Sequence, residues 1–306
     1  MLAAITFDVD GLQRDPFASE PTTETRRRLQ DLSHDVVLPR IAEWLRPLDV
    51  RATFFSIGAD VKERPRIYRQ LAADGHEIAN HSHSHLRDFS KQAKDVIRAE
   101  IRNAHDTIVS EVGVAPVGFR CPGYTVTADV IDELTSAGYA YDASLIPSWS
   151  YTTLKRAYQL LGGPQYRSYL VPQGYGCARA PRLPYRVGAA DLYRQNPSAT
   201  LTELPITTLG PMQLPFVHGL TYRLPKPMRD SAIAAALRQP FFTLSFHDLE
   251  FADRPDFGPL PASSMTTPHL ARPIADRLSE LSALVRTSQR THRFVTMRES
   301  IGIPRA

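Results

Sequence analysis

Apolar runs and helical periodicities alternate through the first 145 residues. Ala3-Ala-Ile-Thr-Phe7 reads as a buried strand that stops at Asp8. Residues 35–46 carry Val36, Val37, Ile41, Trp44 and Leu45 at helical spacing, and Arg51–Ile57 gives a second strand closed by Gly58. A helix over 65–74 ends at Gly75, and the short strand Glu77-Ile-Ala79 leads into His81. The clearest helix repeats Ala93, Ile97, Ile101, Ala104, Ile108 and Val112 on one face and closes at Gly113. Val117-Gly-Phe119, a helix near 128–137 and Tyr139-Ala-Tyr141 follow. This order predicts an α/β fold with a parallel sheet or a β/α barrel. Residues 146–226 break the rhythm: they are rich in Pro, Gly, Tyr and Arg, and their helical signal is weak. We expect an inserted segment with short strands, one near Leu201–Thr208, that shapes a substrate cleft. A helix at 228–238, a strand at 241–246, a helix near 272–287 and a strand at Arg293–Met297 complete the pattern.

Composition changes this picture little. With 306 residues, 42% hydrophobic and 22% charged, the chain is expected to form one globular domain, 1–306, carrying the 146–226 segment. The net charge of +4 is spread out, and Arg26-Arg27-Arg28 sits among acidic neighbours, so no nucleic-acid partner is expected. Cys121 and Cys177 are the two cysteines and form no metal-binding or redox pair motif. No apolar run approaches the roughly 20 residues of a membrane span. The apolar start, Met1–Phe7, is too short for a signal peptide, which makes the cytoplasm the expected location.

The chemistry gathers where predicted strands end: Asp8 and Asp10, His81 and His85, Arg120, and His247 with Asp248. In parallel β/α architectures those ends line the ligand crevice. Any one of these residues is as well explained by a cap, a turn or a buried histidine; the joint placement carries the argument. In His81-Ser-His83-Ser-His85 the outer histidines, four apart, fit one face of a helical turn, with His83 pointing elsewhere. Two imidazoles and the Asp10 carboxylate make a metal set with positions left open for water and substrate. Asp8, two residues from Asp10, faces the same side of a strand and suits a general base. Arg120 is the cation expected beside paired carboxylates, and His247 suits a general acid.

Several segments together resemble the NodB-homology polysaccharide deacetylases, carbohydrate esterase family 4. Thr6-Phe-Asp8-Val-Asp10-Gly11 is similar to that family's first motif in its D-x-D variant, and His81–His85 to its metal motif. Phe119-Arg-Cys-Pro-Gly-Tyr124 and Leu244-Ser-Phe-His247 are similar to its later motifs, and Gly138-Tyr-Ala-Tyr-Asp142-Ala-Ser to a stretch of D-x-D relatives. The resemblance implies a distorted (β/α)7 barrel. It implies that Asp10, His81 and His85 hold one divalent ion, zinc first, with cobalt and nickel as alternatives. Asp8 would be the base, oriented by Arg120, and His247 the acid, tuned by Asp142. A backbone N–H near Tyr124, in the motif that contains Pro122, would hold the oxyanion. The implied substrate is an N-acylated, above all N-acetylated, amino sugar, free or linked to a lipid or nucleotide. Removal of a formyl group and hydrolysis of a cyclic imide or ureide, with or without metal, are the alternatives within that chemistry. A haloacid-dehalogenase-type phosphatase, with Asp8 as nucleophile, and a non-catalytic carbohydrate-binding scaffold are alternatives outside it. One departure is visible: His247 is followed by Asp-Leu-Glu-Phe251, where D-x-D relatives often carry a Pro-Trp-Glu-Phe-like run.

Overall fold

A computed structural model describes residues 1–14, 21–86, 88–161, 174–217, 224–263 and 267–305. Its centre is a sheet curled into a half-barrel. The strands are β1 (Leu2–Val9), β2 (Thr53–Ser56), β3 (Glu77–Asn80), β4 (Gly118–Phe119), β5 (Tyr141–Asp142), β6 (Tyr185–Arg186) and β7 (Thr202–Glu203). A small hairpin, β8 (Thr208–Leu209) with β9 (Leu214–Pro215), precedes β10 (Phe241–His247) and β11 (Arg293–Phe294). Along the path β10-β1-β2-β3-β4-β5-β7 every neighbour pair is parallel, while β6 adds antiparallel to β7 and β11 pairs with β1. Thr207, which follows β7, reaches across to β10, where its hydroxyl accepts from the Thr243 N–H at 2.8 Å.

Strand periodicity decides which residues enter the barrel. On β1, Ala3, Ile5, Phe7 and Val9 join the outer core under the helices, where Phe7 stacks on Phe54 and Phe246 at ring separations of 5.0 and 5.4 Å. Ala4 joins an inner cluster with Phe55, Ala79, Tyr141 and Leu204. Thr6 and Asp8 share that inward face, so the alternation that buries the core also aims Asp8 inward. Gly118 allows the inner packing: a Cβ there would lie 1.8 Å from the Tyr141 ring.

The regular half of the chain follows its hydrophobic pattern closely. Helix α5 (Lys94–Val112; α1 to α4 are given below) buries Ile97, Ile101, Ala104 and Ile108 and stops at Gly113 in the left-handed region. Two differences stand out. The first helical stretch is longer than expected: α1 (Thr23–Leu32), a π turn (Ser33–Val37) and α2 (Leu38–Leu45) run on from one another. In α1 only Leu29 and Leu32 are buried, too few to give a periodic signal. After α3 (Gly58–Glu63), α4 (Pro65–Ala73) and α6 (Ala128–Ser136), the segment 146–226 forms an unpredicted helix, α7 (Trp149–Leu161). Its buried positions include Thr152 and Lys155 while Trp149, Leu154 and Leu160 are exposed, the reverse of an amphipathic pattern. The same segment supplies β6 and β7 to the main sheet, so it extends the barrel as well as flanking it. The helices α8 (Lys226–Ala236) and α9 (Ile274–Ser288) close the outer layer around β10 and β11.

Candidate active site

The strand ends bring together most of the polar residues singled out by sequence. Asp8 pairs in register with His247 on β10, and Asp10 follows directly after β1. The Asp8 carboxylate is sealed from below: Arg120 Nη1 donates to it at 2.6 Å, and the Tyr124 hydroxyl donates to its other oxygen. Arg120 is itself fully buried, with Nε on the Ala143 carbonyl (2.9 Å), Nη1 on Thr6 Oγ1 (3.0 Å) and its guanidinium 3.9 Å above the Phe55 ring. Burial, the largest influence, opposes the charge on Asp8, but the Arg120 guanidinium together with His81 and His247 outweighs it and keeps the carboxyl below its ordinary value.

Asp10, His81 and His85 converge, their ligand atoms all lying within 4.8 Å of one another. His81 Nε2 stands 3.1 Å and His85 Nε2 3.5 Å from Asp10 Oδ1. The histidine segment is not a helical turn, contrary to expectation. Ser82 and His85 take positive φ values of 64 and 56°. Three contacts fold this loop: the Ser82 N–H on Asn80 Oδ1, the His85 N–H on Ser82 Oγ, and the Glu100 carboxylate of α5, which accepts from the N–H groups of His83 and Ser84. His83 turns away and packs against Gly58, as expected.

The residues fit a cation. His81 Nδ1 lies 2.7 Å from the Arg120 carbonyl, which can only accept, so that nitrogen carries the proton. In the neutral ring the lone pair of Nε2 then faces a carboxylate oxygen, two acceptors in contact. Among the described residues His85 Nε2 is buried without a hydrogen-bond partner, and burial pushes this imidazole down to about 4, which leaves it neutral and free to ligate.

His247 borders both carboxylates, its Nε2 lying 3.8 Å from an oxygen of Asp8 and of Asp10, and its side chain is 26% exposed, so substrate can reach it. Burial opposes its protonation, but Glu250, Asp10 and Asp8 prevail and raise the imidazole to about 10. The carboxylate beside its other nitrogen is Glu250, at 3.8 Å from Nδ1. Asp142, expected there, lies instead beside Ser144, which donates to it at 2.6 Å, and beside Glu203, its register partner on β7. Glu250 was missed, although its position three residues after His247 is a readable signal. The backbone expectation at Tyr124 also changes. Its N–H donates to the Cys121 carbonyl at 3.0 Å within the turn opened by Pro122, and what Tyr124 brings to the site is its phenol. Asp248 braces the exit from β1 by accepting from the Gly11 N–H at 3.2 Å and from Ser33.

Residues 23–141 match the family model described as polysaccharide deacetylase. Over these residues the chain is similar to that family. The matched stretch contains His81, His85, Arg120 and Tyr124; Asp8, Asp10 and His247 lie outside it and join the site through the sheet. A chitooligosaccharide deacetylase from Sinorhizobium fredii is 33% identical over 111 residues, which is 36% of this chain and 51% of that protein. A peptidoglycan-N-acetylglucosamine deacetylase from Bacillus cereus is 28% identical over 116 residues, 38% of this chain and 40% of that protein. The chain thus spans about half or less of the length of these curated relatives. Among solved structures, a Mycobacterium smegmatis protein assigned to the polysaccharide deacetylases superposes with a TM-score of 0.52 at 20% identity, covering 96% of this chain and 93% of that one. A carbohydrate esterase family 4 pseudoenzyme from Bacillus anthracis superposes at 0.50 and 14% identity, covering all of this chain and 66% of that one. These likenesses establish the fold, and a fold that also hosts a pseudoenzyme leaves activity to be argued from the site. Among the described residues no helix is long and apolar enough to cross a membrane.

Proposed function

We propose that this chain hydrolyses the N-acetyl group of an amino sugar, with Asp8 as general base, His247 as general acid and Asp10, His81 and His85 as the ligands of one divalent ion, zinc first. One observation carries the reading. A buried carboxylate held by Arg120 and Tyr124 stands next to a two-histidine, one-carboxylate cluster, with a half-open histidine 3.8 Å from both. A divalent ion bound there would supply Lewis acidity toward the amide carbonyl and make a water more acidic. Asp8, ionised and oriented by Arg120, takes the proton of the attacking water. The hydrogen bonds from Arg120 and Tyr124 fix the carboxylate, so little reorganisation is needed when that proton arrives. His247, kept protonated by Glu250 and the two aspartates, gives a proton to the departing nitrogen. The described part of the 146–226 segment, with α7 beside Tyr124, forms one wall of the cleft within a single 1–306 domain.

The names of the relatives support N-acetylglucosamine-containing substrates. The phosphatase reading gives no use to the two histidines beside Asp10. A metal-free amidase would gain nothing from that histidine–carboxylate cluster. The test is acetate release from an N-acetylated chitooligosaccharide, a peptidoglycan fragment and a nucleotide-linked N-acetyl sugar, in the presence of zinc or cobalt. Acetate from at least one, absent in Asp8→Asn, is the expected result. Phosphate from a phosphomonoester with no acetate from any of the three would overturn it.

A further inference from the structure

We infer that Lys155 is a positioning residue for this site: its amine holds the Gly123 carbonyl and thereby keeps the Tyr124 phenol on Asp8. Gly123 and Tyr124 are consecutive residues with positive φ, 69 and 58°. Glycine adopts that region freely, but a tyrosine does so only when its surroundings hold it there. Within the turn, the Tyr124 N–H meets the Cys121 carbonyl at 3.0 Å and Thr125 Oγ1 meets the Gly123 carbonyl at 3.3 Å. The shortest bond to that carbonyl comes from outside the turn, from Lys155 Nζ on α7 at 2.8 Å.

Lys155 is an unusual choice for a merely structural role. It is 5% exposed, and no carboxylate of the described residues forms an ion pair with it. Tyr151, one helical turn earlier, faces it with a ring centroid 5.0 Å from Nζ; the Cys121 thiol faces it from the site turn and the Cys177 thiol from the 3-10 turn Tyr175–Arg179. Methionine would fill this space without the cost of burying an amine. What a lysine adds is a charge-assisted bond to the one carbonyl that adjoins Tyr124. Burial pushes the amine down to about 8, so the charged bond weakens in mildly alkaline solution.

The activity arm of the test rests on the deacetylase reading, and a structural arm does not. Full-length wild type, Lys155→Met and Lys155→Arg, each supplied with zinc, are assayed on N-acetylated chitooligosaccharide across the pH range. We expect Lys155→Met to lower kcat about tenfold or more with KM changed less than about twofold. Lys155→Arg is expected to restore most of kcat and to move the alkaline limb, near pH 8 in the wild type, upward by about one unit or more. A Lys155→Met kcat within about twofold of wild type, or an alkaline limb unmoved in Lys155→Arg, overturns the inference. Absence of deacetylation by the wild type itself refutes the functional reading instead. A crystal structure of Lys155→Met then decides the role of Lys155: Tyr124 displaced from Asp8 supports it, and Tyr124 unmoved overturns it.

Discussion

At the N-terminal end of the sheet Glu77 is buried at the start of β3, and at the C-terminal end Asp8 and Asp10 are buried at the end of β1. Among the described residues the Glu77 carboxylate accepts hydrogen bonds from neutral donors: Thr53 Oγ1 at 2.8 Å, the Tyr141 hydroxyl at 2.9 Å and the Arg298 N–H at 3.0 Å. Burial raises its pKa, and those hydrogen bonds, with the Arg298 charge as the weakest influence, offset this in part. The aspartates instead sit among a guanidinium and three imidazoles, one of which has a buried nitrogen with no hydrogen-bond partner among the described residues. A carboxylate that ties strands together is closed and surrounded chiefly by dipoles. One that serves chemistry is surrounded by charges and leaves bonding capacity unused.

Crossed substitutions sharpen this contrast. Asp8→Asn should lower turnover by about 10²–10⁴, roughly 3–5 kcal/mol of transition-state stabilisation, while the bound ion stays; turnover within tenfold of wild type would remove Asp8 from the role of base. Tyr124→Phe removes one hydrogen bond from the same carboxylate and should cost about tenfold in kcat, with KM little changed. Glu77→Gln should do the opposite: it places an amide among donors and lowers unfolding free energy by about 1–3 kcal/mol in urea melts, with kcat altered only a few-fold. If Glu77→Gln abolished turnover in a protein of unchanged stability, the division between the two ends would fail.

The last effect concerns pH, at a group far from the catalytic cluster. His76 Nδ1 accepts from the Ala52 N–H at 3.1 Å, a bond that only the neutral ring can make. Burial first, then Arg51, pushes this imidazole down to about 4. The folded value lies below that of the unfolded chain. The contribution is therefore complete above about pH 6.5 and is lost as the pH falls toward 4, with an upper bound of ~3 kcal/mol. Urea melts at pH 7, 5 and 4 should show a fall that is shallower in His76→Gln; equal slopes would assign the pH dependence to other groups.

Much of the catalytic end was legible because it depends on short-range rules. Strand alternation puts Asp8 on the inner face of β1, and strand ends predict where Asp10, Arg120 and His247 gather. The pairing of His81 with His85 was readable from spacing, but its backbone was not: a spacing of four fits a helical turn, and Glu100, distant in sequence, folds the loop otherwise. Helix α7 was hidden because its inward face carries Thr152 and Lys155 while Leu154 and Leu160 face solvent. The resemblance points to Asp142, whose partners are Ser144 and Glu203, whereas the carboxylate beside His247 Nδ1 is Glu250. In each case a tertiary contact overrode a local pattern.

The most direct test of the central claim is a calorimetric titration of zinc into the metal-free wild type and His81→Ala/His85→Ala. The account predicts about one tight site per chain in the wild type and its loss in the double variant, with the folded state kept. A wild type that binds no ion, or a double variant that binds as well, would contradict it.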